Sequence, residues 1–482
     1  VPDLRPVLHI NGMFLIMLGA SMQLPVLIDL YFHNPDWQVF LAASLVCVFT
    51  GGALVLSAKG YGPRLEMRQA FLLTVSTWLV LPAFGALPFA FSEFRLSYTD
   101  AFFEAMSGLT TTGATVIVGL DTAPPGILIW RSLLQWLGGI GIIVMAVAVM
   151  PMLQVGGMQL FRLESSDNSE KIVPRVAEFI GTLGVLYVGL TVVCAFALAL
   201  AGMTAFEALA HAMTTIATGG FSTSDESVGH FRSAAVDVII TLFMIVGSLP
   251  FVLYIQVLRG RPLLLWRDSQ VRLFFMIAAG LVSLVSLWLW VSHGMELSMA
   301  LRLTAFNVVS VMTGTGYATT DYNAWGSFAV GVFFVIMFIG GCAGSTSCGI
   351  KIFRFHVLLA MASTQIRRLF QPHGVFVPRY NGRPIPETVG ASVMSFLFLF
   401  VVIFTVLTLA LAATGLDFVT AASGAGSALA NVGPGLGDTI GPAGNYQPLP
   451  ASAKWILSAG MLFGRLELFT VLVLLTPGFW RA

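Results

Sequence analysis

Apolar runs of roughly 20 residues recur along the whole of this chain, and that feature limits its fold more than any other. A run of that length spans the hydrocarbon core of a bilayer as a helix. The runs do not alternate in ten-residue segments, so a β-barrel is disfavoured. Only 10% of the 482 residues are charged, against about 25% in soluble domains. The first run, about 7–31, is followed at once by a second, about 38–58, which reads as a helical hairpin rather than a cleaved leader. The net charge of +1 suggests no nucleic-acid partner. The four cysteines form no CxxC pair, so neither a zinc site nor a disulfide framework is indicated.

Basic residues mark the cytoplasmic side of a membrane protein. Here they cluster in alternate connections: Lys59, Arg64 and Arg68; Arg162, Lys171 and Arg175; Arg259, Arg261, Arg267 and Arg272; then Lys351, Arg354, Arg367, Arg368, Arg379 and Arg383. The intervening connections hold acids such as Asp121, Asp225, Glu226 and Asp438. The pattern places four basic loops and both termini inside.

Between basic loops one plan repeats: an apolar helix, a semi-polar stretch of small residues, then a second apolar helix. The semi-polar stretches are SYTDAFFEAMSGLTTTGATV, TAFEALAHAMTTIATGGFST, ALRLTAFNVVSVMTGTGYAT and DFVTAASGAGSALANVGPGL. Aligned on Gly113, Gly220, Gly316 and Gly433, they share a hydroxyl six residues upstream (Ser107, Thr214, Ser310, Ser427) and an apolar residue four upstream (Leu109, Ile216, Met312, Leu429). Sixteen upstream, Ser97, Thr204 and Asp417 are good N-caps; the third copy has Ala300 there, with Ser298 nearby. The glycines are 107, 96 and 117 residues apart, which suits a two-helix membrane unit.

Each stretch is therefore expected to form a helix of about three turns that enters the membrane and stops partway. Non-helical backbone at that depth is tolerated only where it lines a cavity. Four such segments around one axis make a ring of carbonyls that can replace the hydration shell of a cation. Glycine lets successive carbonyls face the axis, and the half-helices aim their negative ends at the ion. The candidate carbonyls belong to Thr111, Thr112 and Gly113; Thr218, Gly219 and Gly220; Gly314, Thr315 and Gly316; and Asn431, Val432 and Gly433. Tyr317 corresponds to Ala114, Phe221 and Pro434, so no ring of four aromatics encloses them, and the segments should be held less rigidly than in a symmetric channel.

The expected fold is an all-α polytopic membrane protein. An N-terminal hairpin (1–60) precedes four linked membrane–pore-loop–membrane repeats (61–160, 161–262, 263–370 and 371–482) around one pseudo-fourfold pore. The second helix of the third repeat breaks into Gly340, Gly341, Gly344, Ser345, Thr346, Ser347, Cys348 and Gly349, a stretch that cannot sustain a regular helix cheaply. Arg465 lies inside the apolar run 455–475. A cation at a helix centre costs about 2.5–3.5 kcal/mol, so it calls for a cavity or a partner. Glu467, two residues on, does not share its helical face. Glu104, Glu207 and His211 lie on half-helices, where capping and packing compete with an electrostatic role. Arg131 and Gln135 read as structural anchors.

The phrases GLTTTGATVIVGLD, QWLGGIGIIV, ATGGFST, GGCAGST, NVGPGLG and MLFGRLELFT resemble the TrkH family of bacterial Trk potassium-uptake subunits, within the Trk/Ktr/HKT superfamily. The resemblance implies potassium uptake across the inner membrane through a gated, channel-like pore that should also accept rubidium, with no organic cofactor. It also implies a homodimer with one pore per protomer and a cytosolic nucleotide-binding regulator of the TrkA type. In the plant HKT branch a serine at the first filter position accompanies sodium selectivity; Gly113 here points to potassium. The broken segment 340–349 becomes the intramembrane gate and Arg465 a barrier to cations beneath the filter. Many relatives have a run of glycines where this chain has Ser347-Cys348-Gly349, so a stiffer gate is expected. The alternatives are a proton- or sodium-coupled symporter, for which Glu467 is the deep carboxylate, and a less selective HKT-type transporter. An enzyme is disfavoured: the histidines are scattered, and neither HExxH, GxSxG nor a Walker A motif is present.

Overall fold

The computed structural model describes residues 3–58, 60, 65–148 and 172–481. Lys59, Arg64, Arg162 and Lys171, and the repeat boundaries near 60 and 160, lie outside the described residues. Within them the regular structure is helical apart from one small antiparallel pairing, Arg379–Tyr380 with Arg383–Pro384, and a single parallel bridge between Ile339 and Ile350.

Among the described residues seven helices are long and apolar enough to cross a membrane: Arg5–Tyr31, Trp37–Ser57, Met67–Phe91, Pro125–Met145, Ile180–Leu200, Ser269–His293 and Glu387–Ala412. Six of them bury less than half of their residues inside the protein, as lipid-facing helices do, whereas Pro125–Met145 is 72% buried and belongs to the interior. The first two form the expected hairpin. They pack at glycine: a Cβ on Gly12 would lie 2.7 Å from the Gly51 carbonyl oxygen, the close approach that small residues permit between membrane helices.

Two further spans are bent pairs: Ala234–Ser248 with Phe251–Leu258, at 96°, and Ala451–Arg465 with Leu468–Leu475, at 113°. The sequence pattern points to a break only in the third repeat, but the second helices of repeats two and four break as well. Pro250 starts a new helix in repeat two because it cannot donate to the preceding turn. In repeat four Glu467 takes φ +59° and ends the helix after Arg465. The third repeat breaks where expected: Ser327–Ile336 ends before the irregular segment, and Ile352–Phe370 begins after it.

The four short helices also form, as Tyr98–Leu109, Ala205–Ile216, Leu297–Met312 and Phe418–Ala430. Ser97, Thr204 and Asp417 cap three of them, each side-chain oxygen accepting from the N–H three residues on. The third copy departs from expectation. Its helix starts a full turn earlier at Leu297, with Glu296 at the cap position. Ser298 lies inside the first turn and donates to the Glu296 carboxylate at 2.6 Å. All four helices are encased by the longer ones, so their inner faces are buried.

Candidate functional site

Each short helix ends in the same way. The N–H of Thr112, Gly219, Thr315 and Val432 donates to the carbonyl of Ser107, Thr214, Ser310 and Ser427, at 2.9, 2.8, 2.9 and 3.0 Å. The N–H one residue earlier, on Thr111, Thr218, Gly314 and Asn431, donates to Gly108, Thr215, Val311 and Ala428. This pair of bonds is the Schellman closure, which demands a left-handed residue just past the helix. Thr111, Thr218, Gly314 and Asn431 supply it, at φ +52°, +49°, +72° and +52°. The hydroxyl register seen in the sequence thus marks the residue whose carbonyl closes each helix.

Two residues further, Gly113, Gly220, Gly316 and Gly433 take φ +87°, +78°, +82° and +106°. Left-handed residues therefore alternate with ordinary ones along each segment. In an ordinary strand successive peptide groups point to opposite sides. The alternation turns them toward the same side, which only a left-handed residue at every second place allows.

The four segments close on one another in chain order. A Cβ on Gly113 would lie 2.2 Å from the Gly219 oxygen; on Gly220, 1.8 Å from the Thr315 oxygen; on Gly316, 2.0 Å from the Val432 oxygen; and on Gly433, 2.7 Å from the Thr112 oxygen. Each glycine thus abuts the carbonyl that precedes the next glycine, and the fourth returns to the first. A side chain at any of the four would occupy the place of a neighbouring carbonyl. Such a closed ring of carbonyl oxygens can strip and hold a monovalent cation.

Unequal struts hold the segments from behind. In the second, Gln135 donates to the Gly219 carbonyl at 2.6 Å and accepts from the Phe221 N–H at 3.0 Å. In the third, the Tyr317 hydroxyl meets that of Thr214 on the neighbouring short helix. In the fourth, the Tyr446 hydroxyl donates to the Gly433 carbonyl at 2.7 Å. Asn431 reaches across to the Thr112 hydroxyl at 2.9 Å. The sequence offered no ring of aromatics, and these side chains, most of them from outside the aligned positions, hold the segments instead.

The strongest strut joins repeats one and two. Arg131, with its side chain 1% exposed, pairs with Glu104 at 2.8 Å and donates to the Ser222 carbonyl at 2.8 Å and the Thr115 hydroxyl at 3.1 Å. Glu104 also accepts from the Val116 N–H. His211 and Glu207 are likewise structural in place: His211 contacts the Ser222 hydroxyl, and Glu207 completes a capping box with Thr204. Glu104→Leu strands a buried guanidinium, so it should destabilise the protein by about 3–5 kcal/mol. Thermal unfolding of the detergent-solubilised protein would read this as a large drop in Tm, and an unchanged Tm would refute it.

The broken segment lies against the C-terminal ends of the short helices, on the opposite side of the left-handed residues from the glycine ring. Ser347 donates to the Thr313 carbonyl at 2.6 Å. Thr346 contacts the Ile216 and Gly247 carbonyls at 3.0 and 2.8 Å. Cys348 sulfur sits 3.7 Å from the Thr111 hydroxyl. The backbone is pinned as well: Cys342 N–H donates to Ser248, Thr346 N–H to Gly247, and Phe251 N–H to Gly344. The break in repeat two frees the carbonyls that receive the segment. The residues 340–349 are thus tied to repeats one, two and three together.

Arg465 completes the tie from repeat four. It is 3% exposed and donates to the Thr346 carbonyl at 3.3 Å, the Cys348 sulfur at 2.5 Å and the Gly138 carbonyl at 3.0 Å. Among the described residues its partners include no carboxylate. Glu467 turns away at the helix break and pairs with Arg354 at 2.7 Å. A cavity of about 40 Å³ lies beside Ser347, Cys348, Lys351, Arg354, Arg465 and Glu467.

Three glycines of the second helices went unnoticed in the sequence as part of this scaffold. A Cβ on Gly138, Gly247 or Gly464 would lie 1.8, 3.0 or 2.2 Å from a carbonyl oxygen at the C-terminal end of its own repeat's short helix: Leu109, Ile216 or Leu429. The phrases QWLGGIGIIV and MLFGRLELFT carried the signal for Gly138 and Gly464, since glycine inside an apolar membrane helix permits a backbone contact.

A polytopic helical protein whose four short helices converge on a closed carbonyl ring, stopped on one side by a polar segment, is a membrane transport protein for cations. Comparison with known proteins gives its family. The TrkH family, described as a cation transport protein, matches residues 36–478, and the chain belongs to it. That is a family of transporters, not of enzymes. The Trk system potassium uptake protein TrkI of Halomonas elongata is 45% identical over 478 residues, covering 99% of this chain and 97% of that protein. The Trk system potassium uptake protein TrkH of Escherichia coli is 42% identical over 483 residues, with 99% of each covered. The crystal structure of the potassium transporter TrkH from Vibrio parahaemolyticus superposes with a TM-score of 0.92 at 37% identity over 100% of both chains.

Proposed function

We propose that this chain takes up potassium across the bacterial inner membrane through a gated, channel-like pore. The observation that carries the proposal is the closure of four glycine segments into one ring, each glycine seated against the next segment's carbonyl. Potassium is the cargo, dehydrated by the carbonyls of Thr111–Gly113, Thr218–Gly220, Gly314–Gly316 and Asn431–Gly433, and rubidium follows the same path. The naming of its relatives as potassium uptake proteins supports this choice of ion. Residues 340–349 act as the gate, with Arg465 as its latch and its charge barrier. Both termini face the cytoplasm, and the protein works as a homodimer with a cytosolic nucleotide-binding regulator of the TrkA type. The basic connection 367–384 is the docking surface for that regulator.

A coupled symporter is the second reading, and the pairing of Glu467 with Arg354 speaks against it. A proton relay needs a carboxylate open to a water-filled path, whereas this one is buried and held in an ion pair with Arg354. Purified protein in liposomes should carry potassium and rubidium down their own gradients with protons and sodium at equilibrium. Flux that stops when the proton or sodium gradient is removed would replace the channel with the symporter.

A further inference from the structure

The basic ends of the membrane helices frame a feature that ion conduction does not use. Between the start of the helix Ser269–His293 and the helix Ile352–Phe370 runs an open groove of about 630 Å³. Its walls are apolar, from Leu273, Phe275, Met276, Leu359 and Ala360. Met276, inside the membrane span Ser269–His293, and Leu359, on the helix that follows the broken segment, are 63% and 61% exposed. At the end where the helix Ser269–His293 begins stand Trp266, Arg272 and His356.

The charge at that end is unbalanced. Arg272 donates to the Arg267 carbonyl, and among the described residues no carboxylate pairs with either arginine. The nearby carboxylate, Asp268, is engaged as the helix cap, accepting from the Gln270 and Val271 N–H groups, and also accepts from Asn381. Trp266 stacks on Phe275 with centroids 5.4 Å apart, so an amphipathic ring sits where the apolar wall meets the arginines. Tryptophan favours that depth in a bilayer.

We infer that this groove binds one anionic phospholipid, its phosphate at Arg272 and an acyl chain along Phe275, Met276 and Leu359. Charge complementarity selects this occupant. A zwitterionic lipid fills the apolar wall equally well but carries a cation that Arg272 repels. The site has a route to the conduction path. The helix Ile352–Phe370 forms one wall and begins three residues after Gly349, so a bound lipid braces the helix that continues from the segment under the ring. The assignment needs only that the chain sits in a bilayer, and it stands or falls independently of which ion is carried.

Native mass spectrometry of the detergent-solubilised full chain, titrated with phosphatidylglycerol or phosphatidylcholine, tests the inference. Phosphatidylglycerol should be retained and phosphatidylcholine lost. Arg272→Gln should weaken phosphatidylglycerol binding by about fivefold, the loss of one basic contact near a membrane surface. Met276→Trp, which fills the groove and keeps the charge, should weaken both lipids. Equal retention of the two lipids by the wild type, or unaltered phosphatidylglycerol binding in both variants, would overturn the site. Dissociation of a dimer by Met276→Trp would also overturn it, by showing that a second copy covers this face. Circular dichroism of each variant separates lost binding from lost folding.

Discussion

Gly316→Ser should abolish most of the discrimination between potassium and sodium. The residue holds φ +82°, a conformation that costs an L-residue about 1–2 kcal/mol. Space is the larger obstacle: its Cβ would lie 2.0 Å from the Val432 oxygen and 2.9 Å from Pro434. One of the two segments must move, and the ring loses the geometry that makes dehydration of one ion cheaper than another. A loss of about 1.4 kcal/mol in that difference lowers the selectivity ratio about tenfold. Potassium, rubidium and sodium flux in liposomes would measure it. Gly331→Ala is the control, because nothing lies within 4 Å of its added Cβ. Unchanged selectivity in a well-folded Gly316→Ser protein would remove the ring from the ion path.

Arg465→Ala should raise potassium flux. Two of its hydrogen bonds, to Thr346 and Cys348, hold the segment 340–349 in place, and the third anchors the guanidinium on Gly138. A hydrogen bond from a charged group contributes about 1.5–3 kcal/mol. Losing even one such bond shifts a two-state gate about tenfold toward open. In the proposed function the substitution also removes a positive charge from the ion path. Cys348→Ser tests the latch separately: a hydroxyl can still accept from Arg465, so flux should change little. Flux that is unchanged or lower in Arg465→Ala, with normal expression, would make Arg465 a purely structural tie.

The local features of this protein were legible because their causes are local. Helix caps at Ser97, Thr204 and Asp417 depend on residues three apart, and they formed as read. The third cap did not, because Glu296 and Leu297 extended the helix by a turn and nothing in the register alone forbids that. The left-handed positions show the same limit. Gly113, Gly220, Gly316 and Gly433 announce themselves. The equally left-handed Thr111, Thr218 and Asn431 do not, since threonine enters that region only when the surrounding structure enforces it. Gly314 is the sole one of that set whose residue type gave it away. The additional breaks at Pro250 and Glu467 were hidden in runs whose hydropathy is continuous.

By itself the sequence determined the membrane class, the hairpin, four copies of one helix–glycine plan and the broken segment at 340–349. Each follows from hydropathy, short-range hydrogen bonding or the conformational freedom of glycine, which act over a few residues. Only the tertiary structure decided that Gly433 meets Thr112, that Gln135 braces Gly219, that Arg131 pairs with Glu104, and that Arg465 grips Thr346 and Cys348 while Glu467 turns to Arg354. Apart from Arg131 with Glu104, these partners stand between 84 and 321 residues apart by their numbers. Their pairing is set by how buried polar groups find one another once the helices have packed, because each must be satisfied where no water can reach.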